Sequence, residues 1–397
     1  RRIDRRRGIL VSLVLLAVPT GLLAAMPDLA TFAALLRIAR AESGAPRAGF
    51  RPIDLSSEDD SSSGWCGFFG TYEDGVGTPD FGDYIAFGLR TDTLRIPKAR
   101  LRHDLEIEVR RTMEAHKVDT LNRYQLAEVK ETVTQRLRRV VPPSISHVPI
   151  VLDLAAGVLW VFSSSETVIE LVDGLFMRTT EHALTREMVY TRLRRLDVPE
   201  GAEKLGTFTA VARTDDRDDF GVGDLLDRIV LCRHLAPEFM LWLWWRSERD
   251  QGVFDLGGEL GVVEVWADDR MVLASDAVNA QTDTFSGGHP ATSAEAREAL
   301  RLGKMPRQFK FAVVRASQRW QATMKADDLA LSGVVIPAAL SREDDTALDE
   351  RMVLLAMLCE MVDRLLVMFV QERTSAAWPG AHEQIREWAL SSVEVAA

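Results

Sequence analysis

Seven consecutive residues, Phe239-Met240-Leu241-Trp242-Leu243-Trp244-Trp245, carry large apolar side chains within a predicted helix over 236–249. A helix that is apolar on every side cannot rest on a wet surface. It has to be enclosed by the chain's own core or by another protein chain. Stacking of Trp242, Trp244 and Trp245 on nucleic-acid bases is the weaker reading, because a stacking platform needs aromatic rings set among polar neighbours that keep it in water. The chain can supply such a core, with 397 residues of which 47% are hydrophobic.

The remaining periodicities are those of an α+β protein, with strands and helices in irregular alternation and antiparallel sheets. Strands are expected at 9–18, 83–90, 148–153, 157–163, 261–267, 270–274, 308–316 and 320–325. The 261–267 and 270–274 pair is joined by an Asp268-Asp269 turn, and an acidic, serine-rich connection fills 55–63. Helices are expected after Pro27, over 165–176, over 294–302 behind a Ser293 cap, and over 345–373. Polar loops are expected at 214–224 and 279–292, and the residues after Trp378 read as a loosely attached tail. The expected organisation is one α+β domain over 8–375, divided into 8–90, a helical hairpin over 91–141 and a sheet-and-helix part over 142–375, with a tail over 376–397.

Arg1 to Arg7 followed by the apolar run 8–18 imitates an export signal. Leu23 occupies the place where a small residue is required for cleavage after Ala25. The run is also broken by Pro19-Thr20-Gly21 and falls short of the roughly 20 apolar residues of a membrane span. A buried strand is therefore expected, and no membrane partner. Cys66, Cys232 and Cys359 are far apart and lack CxxC spacing, as reduced thiols of a cytoplasmic protein would be.

A net charge of −11 argues against a polyanionic partner, but the charge is unevenly spread. Residues 90–139 hold 13 Lys and Arg against 8 Asp and Glu, a local excess of five. Within that stretch Pro97 opens a helix with Leu101, Leu105, Val109 and Met113 on one stripe. A second helix over 121–140 turns Leu126, Val129, Val133 and Leu137 inward, which leaves Arg123, Lys130 and Arg138 on its other side. The pair reads as a helical hairpin with a net basic exterior.

The motifs of catalysis are missing. HExxH, GxSxG and Walker A sequences do not occur, and the histidines are dispersed singly. Gly221-Val222-Gly223 lacks the third glycine and the leading strand of a dinucleotide loop. Asp216, Asp218, Gly221 and Asp227 imitate a calcium loop, but Phe220 fills a ligand position and Asp227 replaces the bidentate glutamate. No catalytic residue, metal ligand or cofactor is expected.

Taken in order, several segments resemble the recombination-associated RdgC family in its longer, tryptophan-rich form. These are Ala48-Gly49-Phe50-Arg51-Pro52-Ile53-Asp54, Gly64-Trp65, Leu94-Arg95-Ile96-Pro97, Val151-Leu152-Asp153 with Gly157-Val158-Leu159-Trp160-Val161, and Leu302-Gly303-Lys304 with Phe309-Lys310-Phe311 and Trp320. Most distinctive is the run from Pro237 to Glu248. The resemblance implies a protomer that pairs into a ring-shaped homodimer around duplex DNA, binds single and double strands without sequence preference, and restrains RecA-driven strand exchange at the nucleoid. Two departures stand out: Pro142-Pro143 replaces an aromatic dimer contact, and Asp268-Asp269 replaces basic residues. On this reading Arg95, Lys98, Arg102, Arg110, Arg111, Arg123, Lys130, Arg138, Lys304, Arg307 and Lys310 are the expected phosphate contacts. The alternative is a protein-docking module that uses the apolar helices 236–249 and 345–373.

Overall fold

A computed structural model of the chain describes residues 9–17, 49–55, 59–70, 80–81, 84–198, 201–214, 225–275, 281–287, 293–340 and 344–391. The predicted helix after Pro27, the acidic loop 215–224 and its glycine and calcium-like motifs, Asp227 excepted, fall outside them. In chain order the first elements are β1 (Ile9–Ala17), β2 (Ser61–Gly67), β3 (Asp80–Phe81), β4 (Tyr84–Thr93), α1 (Lys98–His116), α2 (Arg123–Val140), β5 (Ser144–Asp153), β6 (Val158–Val161), α3 (Glu166–Thr180) and β7 (Thr185–Arg186). They are followed by α4 (Val189–Arg195), α5 (Leu225–Leu231), α6 (Leu235–Arg249), β8 (Val253–Asp255), β9 (Val262–Ala274), β10 (Thr282–Ser286), α7 (Ala294–Arg301), β11 (Met305–Arg315), β12 (Gln318–Lys325), β13 (Leu331–Val335), α8 (Asp344–Thr374) and α9 (Trp378–Leu390). The class is α+β with antiparallel pairing, as expected.

Two compact units interleave along the chain. One comprises Pro19–Gly157 and Thr167–Leu184, the other Arg1–Val18, Val158–Glu166 and Thr185–Ala397. Residues 8–90 are thus shared between them.

In the first, the hairpin unit, β4 is the central strand. It pairs with β2 from Ser61↔Thr93 to Gly67↔Phe87 and with β5 from Tyr84↔Asp153 to Thr93↔Ser144. The serine-rich stretch expected to be a connection therefore becomes strand from Ser61 onward, because Ser61, Ser62 and Ser63 face paired residues of β4. Trp65, Ile85, Phe87, Leu89, Ile150 and Leu152 are buried with Val172, Leu175 and Phe176 of α3. Trp65 meets the Phe87 ring edge to face at 5.3 Å and donates its indole N–H to the Thr179 hydroxyl at 2.8 Å. Residues 49 and 50 lie along β2, where the Phe50 N–H donates to the Trp65 carbonyl at 2.8 Å. That approach requires Gly64, since a Cβ there would sit 2.5 Å from the Phe50 Cα. Two segments of the family resemblance thus meet in space.

In the second, the tryptophan unit, strands run in the order β10-β9-β11-β12-β13-β1-β6, with β8 on β9 and β7 on β1. β1 realises the expected buried strand, and Val14, Leu15 and Leu16 are enclosed. Asp268-Asp269 is not a turn. β9 continues through it to Ala274, and residues 268–270 bulge opposite Lys310, between the pairs Ala267↔Phe311 and Met271↔Phe309. The expected polar loop 279–292 contains β10, whose residues pair with β9 from Thr282↔Ala274 to Ser286↔Arg270. β13 and α4 were not anticipated.

α6 packs over β9 and β11, and Trp242, Trp244 and Trp245 are buried with Phe239. The indole N–H groups of Trp242 and Trp244 donate to Glu372 at 3.1 Å and Glu248 at 2.7 Å. The supposed tail is instead helix α9. Trp378, His382, Ile385 and Ala389 recur at steps of four, three and four residues, and all are buried. Among the described residues no helix is long and apolar enough to cross a membrane.

Candidate nucleic-acid interface

The hairpin is held by a small apolar seam in which Val129, Val133 and Leu137 of α2 pack against Leu101, Leu105 and Val109 of α1, with Ile96 and Leu121 at its ends. Each end is defined locally. Pro97 sits at the N-cap of α1, while Lys117 adopts the left-handed conformation (φ 52°) that closes that helix. Asn122 opens α2 through a capping box with Gln125. Leu126, expected to face inward, is 43% exposed: the step of four that links Leu137, Val133 and Val129 continues to half-buried Gln125, which leaves Leu126 off the seam.

Successive helical residues advance by about 100°, so each cation can be placed relative to this seam. On α1, Lys98, Arg102 and Arg110 lie onward from Leu101, Leu105 and Val109 in the sense of increasing residue number. On α2, Arg123 and Lys130 lie onward from Val129, Val133 and Leu137 in the same sense. In two antiparallel right-handed helices, equal-sense offsets point to the same side of the pair. The five cations therefore share one flank. Arg100, Arg111, Arg136 and Arg139 fall on the other.

The flanks differ in how their charge is used. On the second flank Arg100 holds Asp104 at 3.2 Å, and Glu108 takes Arg136 at 2.9 Å and Arg111 at 3.9 Å. Among the described residues Arg139 has no ion pair. On the first flank Lys98, Arg102, Arg110, Arg123 and Lys130 are all exposed, and their side chains form no hydrogen bond or ion pair among the described residues. Glu106 lies one turn from both Arg102 and Arg110 and pairs with neither. Arg95, in the segment between β4 and α1, is likewise exposed and unpaired.

The other five expected phosphate contacts are placed differently from these six. Arg138 is not on the outer side of α2: it is buried, with its guanidinium bound to the Asp60 carboxylate and donating to the Asp59 carbonyl at 2.8 Å. At the C-terminal end of α2 the onward flank turns against the start of β2, so a long side chain there is covered. Arg111 belongs to the paired flank. In the tryptophan unit Lys304 is held by Asp283 at 2.6 Å, and Lys310 by Asp269 at 2.6 Å and Asp268 at 3.7 Å. The bulge that lifts Asp268 and Asp269 out of the strand sets them beside that lysine. Arg307 is half-buried in β11.

At the root of the hairpin a cavity of about 640 Å³ is lined by Asp60, Thr93, Leu94, Arg95, Ile96, Thr134, Arg138 and Ser144. Thr134 follows Lys130 by one turn, so the flank of unpaired cations leads down to this opening. Spacing alone gave no hint of it, because its residues come from four separate segments.

Other charged groups are committed to structure. Arg192 and Arg195 share Asp363, and Arg195 also meets Glu187 at 3.0 Å. Arg373 and Glu238 form a buried pair at 3.3 Å. Burial pushes the Cys66 thiol up to about 12 and lowers His147 and His382 below the usual histidine range. Among the described residues no group of three or more His, Cys, Asp or Glu is placed to hold a metal ion. The helix α6, one of the two offered as a docking face, is enclosed by its own unit. No protein-family model matches the chain, and no curated protein matches it.

Proposed function

We propose that this chain binds DNA without sequence preference, through phosphate contacts made by the unpaired flank of the helical hairpin. The observation that carries the reading is the sorting of cations across the seam. Five exposed Lys and Arg side chains stand on one flank with no partner among the described residues, while three of the four on the opposite flank are ion-paired, sharing two carboxylates. An unpaired row of this kind gains most from a partner that brings its own negative charges and releases counterions on binding. Base recognition is not required, and the buried tryptophans leave no aromatic platform in α6 to supply it.

The resemblance to the RdgC family extends the proposal. The protein acts as a ring-shaped homodimer around duplex DNA, works at the nucleoid in the cytoplasm, and restrains RecA-dependent recombination by occupying its DNA. It needs no catalytic group or cofactor.

Filter binding of labelled duplex and single strands over about 50 to 200 mM salt tests the first claim. Five phosphate contacts at about 0.9 counterions each predict a log–log slope near −4.5 for duplex per engaged protomer, a loss on the order of several hundredfold across that range, and about twice that slope when both protomers of the ring engage. Retention that does not respond to salt overturns it. Small-angle scattering tests the ring, which must enclose a hole of about 20 Å or more to admit a duplex.

A further inference from the structure

We infer that the cavity at the root of the hairpin is a binding site for a phosphomonoester, the chemistry found at the end of a DNA strand or on a free nucleotide. Three features of the cavity support this. Its volume, about 640 Å³, falls in the usual range of small-ligand sites, roughly 300 to 1,000 Å³. Arg95 lines it with an exposed side chain that holds no carboxylate or carbonyl among the described residues. Thr93 and Ser144 line it with hydroxyls that can donate to a phosphate oxygen, whereas the Thr134 hydroxyl beside them gives its proton to the Lys130 carbonyl at 2.8 Å.

The acid in the cavity does not cancel this charge. Asp60 is bound to Arg138, so the two neutralise each other and leave Arg95 as the uncompensated group. A guanidinium offers paired N–H donors that suit two oxygens of one phosphate, and hydroxyls can complete the shell. The terminal ester is favoured over a backbone diester by charge, since it carries about −1.5 to −2 at neutral pH. Leu94 and Ile96 give the same cavity an apolar side against which a sugar or base can lie.

The strand-end source rests on the DNA-binding proposal, whereas the cavity's chemistry does not. The test measures binding of 5′-phosphorylated and 5′-hydroxyl single-stranded 20-mers, and separately the rise in melting temperature produced by free dAMP. Each is done with the full chain and with Arg95→Gln. A preference on the order of tenfold for the phosphorylated strand, lost in Arg95→Gln, supports the inference with a strand end as ligand. Equal binding of the two strands with a dAMP shift that Arg95→Gln abolishes supports it with a free nucleotide as ligand. That second result can stand even if neither strand is retained at all, an outcome that sinks the DNA proposal alone. Indifference to the 5′ group together with no dAMP shift, or effects that persist unchanged in Arg95→Gln, overturns the cavity site. Ser144→Trp, which fills the opening, must reproduce the loss while circular dichroism shows an unchanged fold.

Discussion

The outer faces of the helical hairpin and the core of the tryptophan unit put arginine to opposite uses. In the tryptophan unit Arg192, Arg195, Arg297 and Arg373 are drawn inward and matched to Asp363, Glu187, Glu248 and Glu238, and two of these arginines are almost wholly enclosed at 2% side-chain exposure. In the hairpin the seam is thin, only three side chains of α2 lie fully inside it, and most cations stay in water. Buried charge is tolerable only when matched; exposed charge can be left open for a partner. The difference lies in the depth of the core beneath each side chain, since both units are rich in arginine.

Several measurements can break or sharpen that contrast. The largest effect is expected from Asp363→Ala, which strands Arg192 and Arg195 and should destabilise the chain by about 3 to 5 kcal/mol in chemical denaturation. A loss below about 1 kcal/mol would mean that the cluster is solvated. Next, the combined Arg102→Gln, Arg110→Gln, Arg123→Gln and Lys130→Gln variant should leave stability within about 0.5 kcal/mol while flattening the salt dependence of DNA binding by about 3 to 4 units of slope per engaged protomer. An unchanged slope would place the contacts elsewhere.

A smaller effect concerns pH. Burial lowers His147 in one unit and His382 in the other, so the folded chain favours their neutral forms. The unfolded chain then binds more protons just below the ordinary histidine pKa of about 6.5. Stability contributed by these groups is present above that value and lost as pH falls through the lowered folded pKa. Melting temperatures from pH 8 down to pH 5 should decline, and His147→Gln should flatten part of the decline; a steeper decline in that variant contradicts the assignment. The smallest effect is expected from Arg111→Gln, a surface pair at 3.9 Å, with under about 0.5 kcal/mol in stability and no change in DNA affinity.

Legibility from sequence followed the same division. The apolar run of α6, the strand β1 and both hairpin helices carry strong periodic patterns, and each lies where its pattern placed it, within a few residues. Asp268-Asp269 was misread because paired acids between two apolar runs look like a turn; a lysine 41 residues later, Lys310, lets them ride a bulge instead. α9 was missed because its buried face is sparse and includes His382. In the site, helical spacing put Arg102, Arg110, Arg123 and Lys130 outside the seam, which the structure shows. It also put Arg138 there, since no rule of local spacing reports that residues 59 and 60, almost eighty positions earlier, cover that turn. The cavity was invisible for the same reason.

Arg138 has a mechanical consequence. By gripping Asp60 and the Asp59 carbonyl it rivets the last turn of α2 to the strand beside it, so a pull on the outer cations reaches the sheet through a cross-link as well as through the chain.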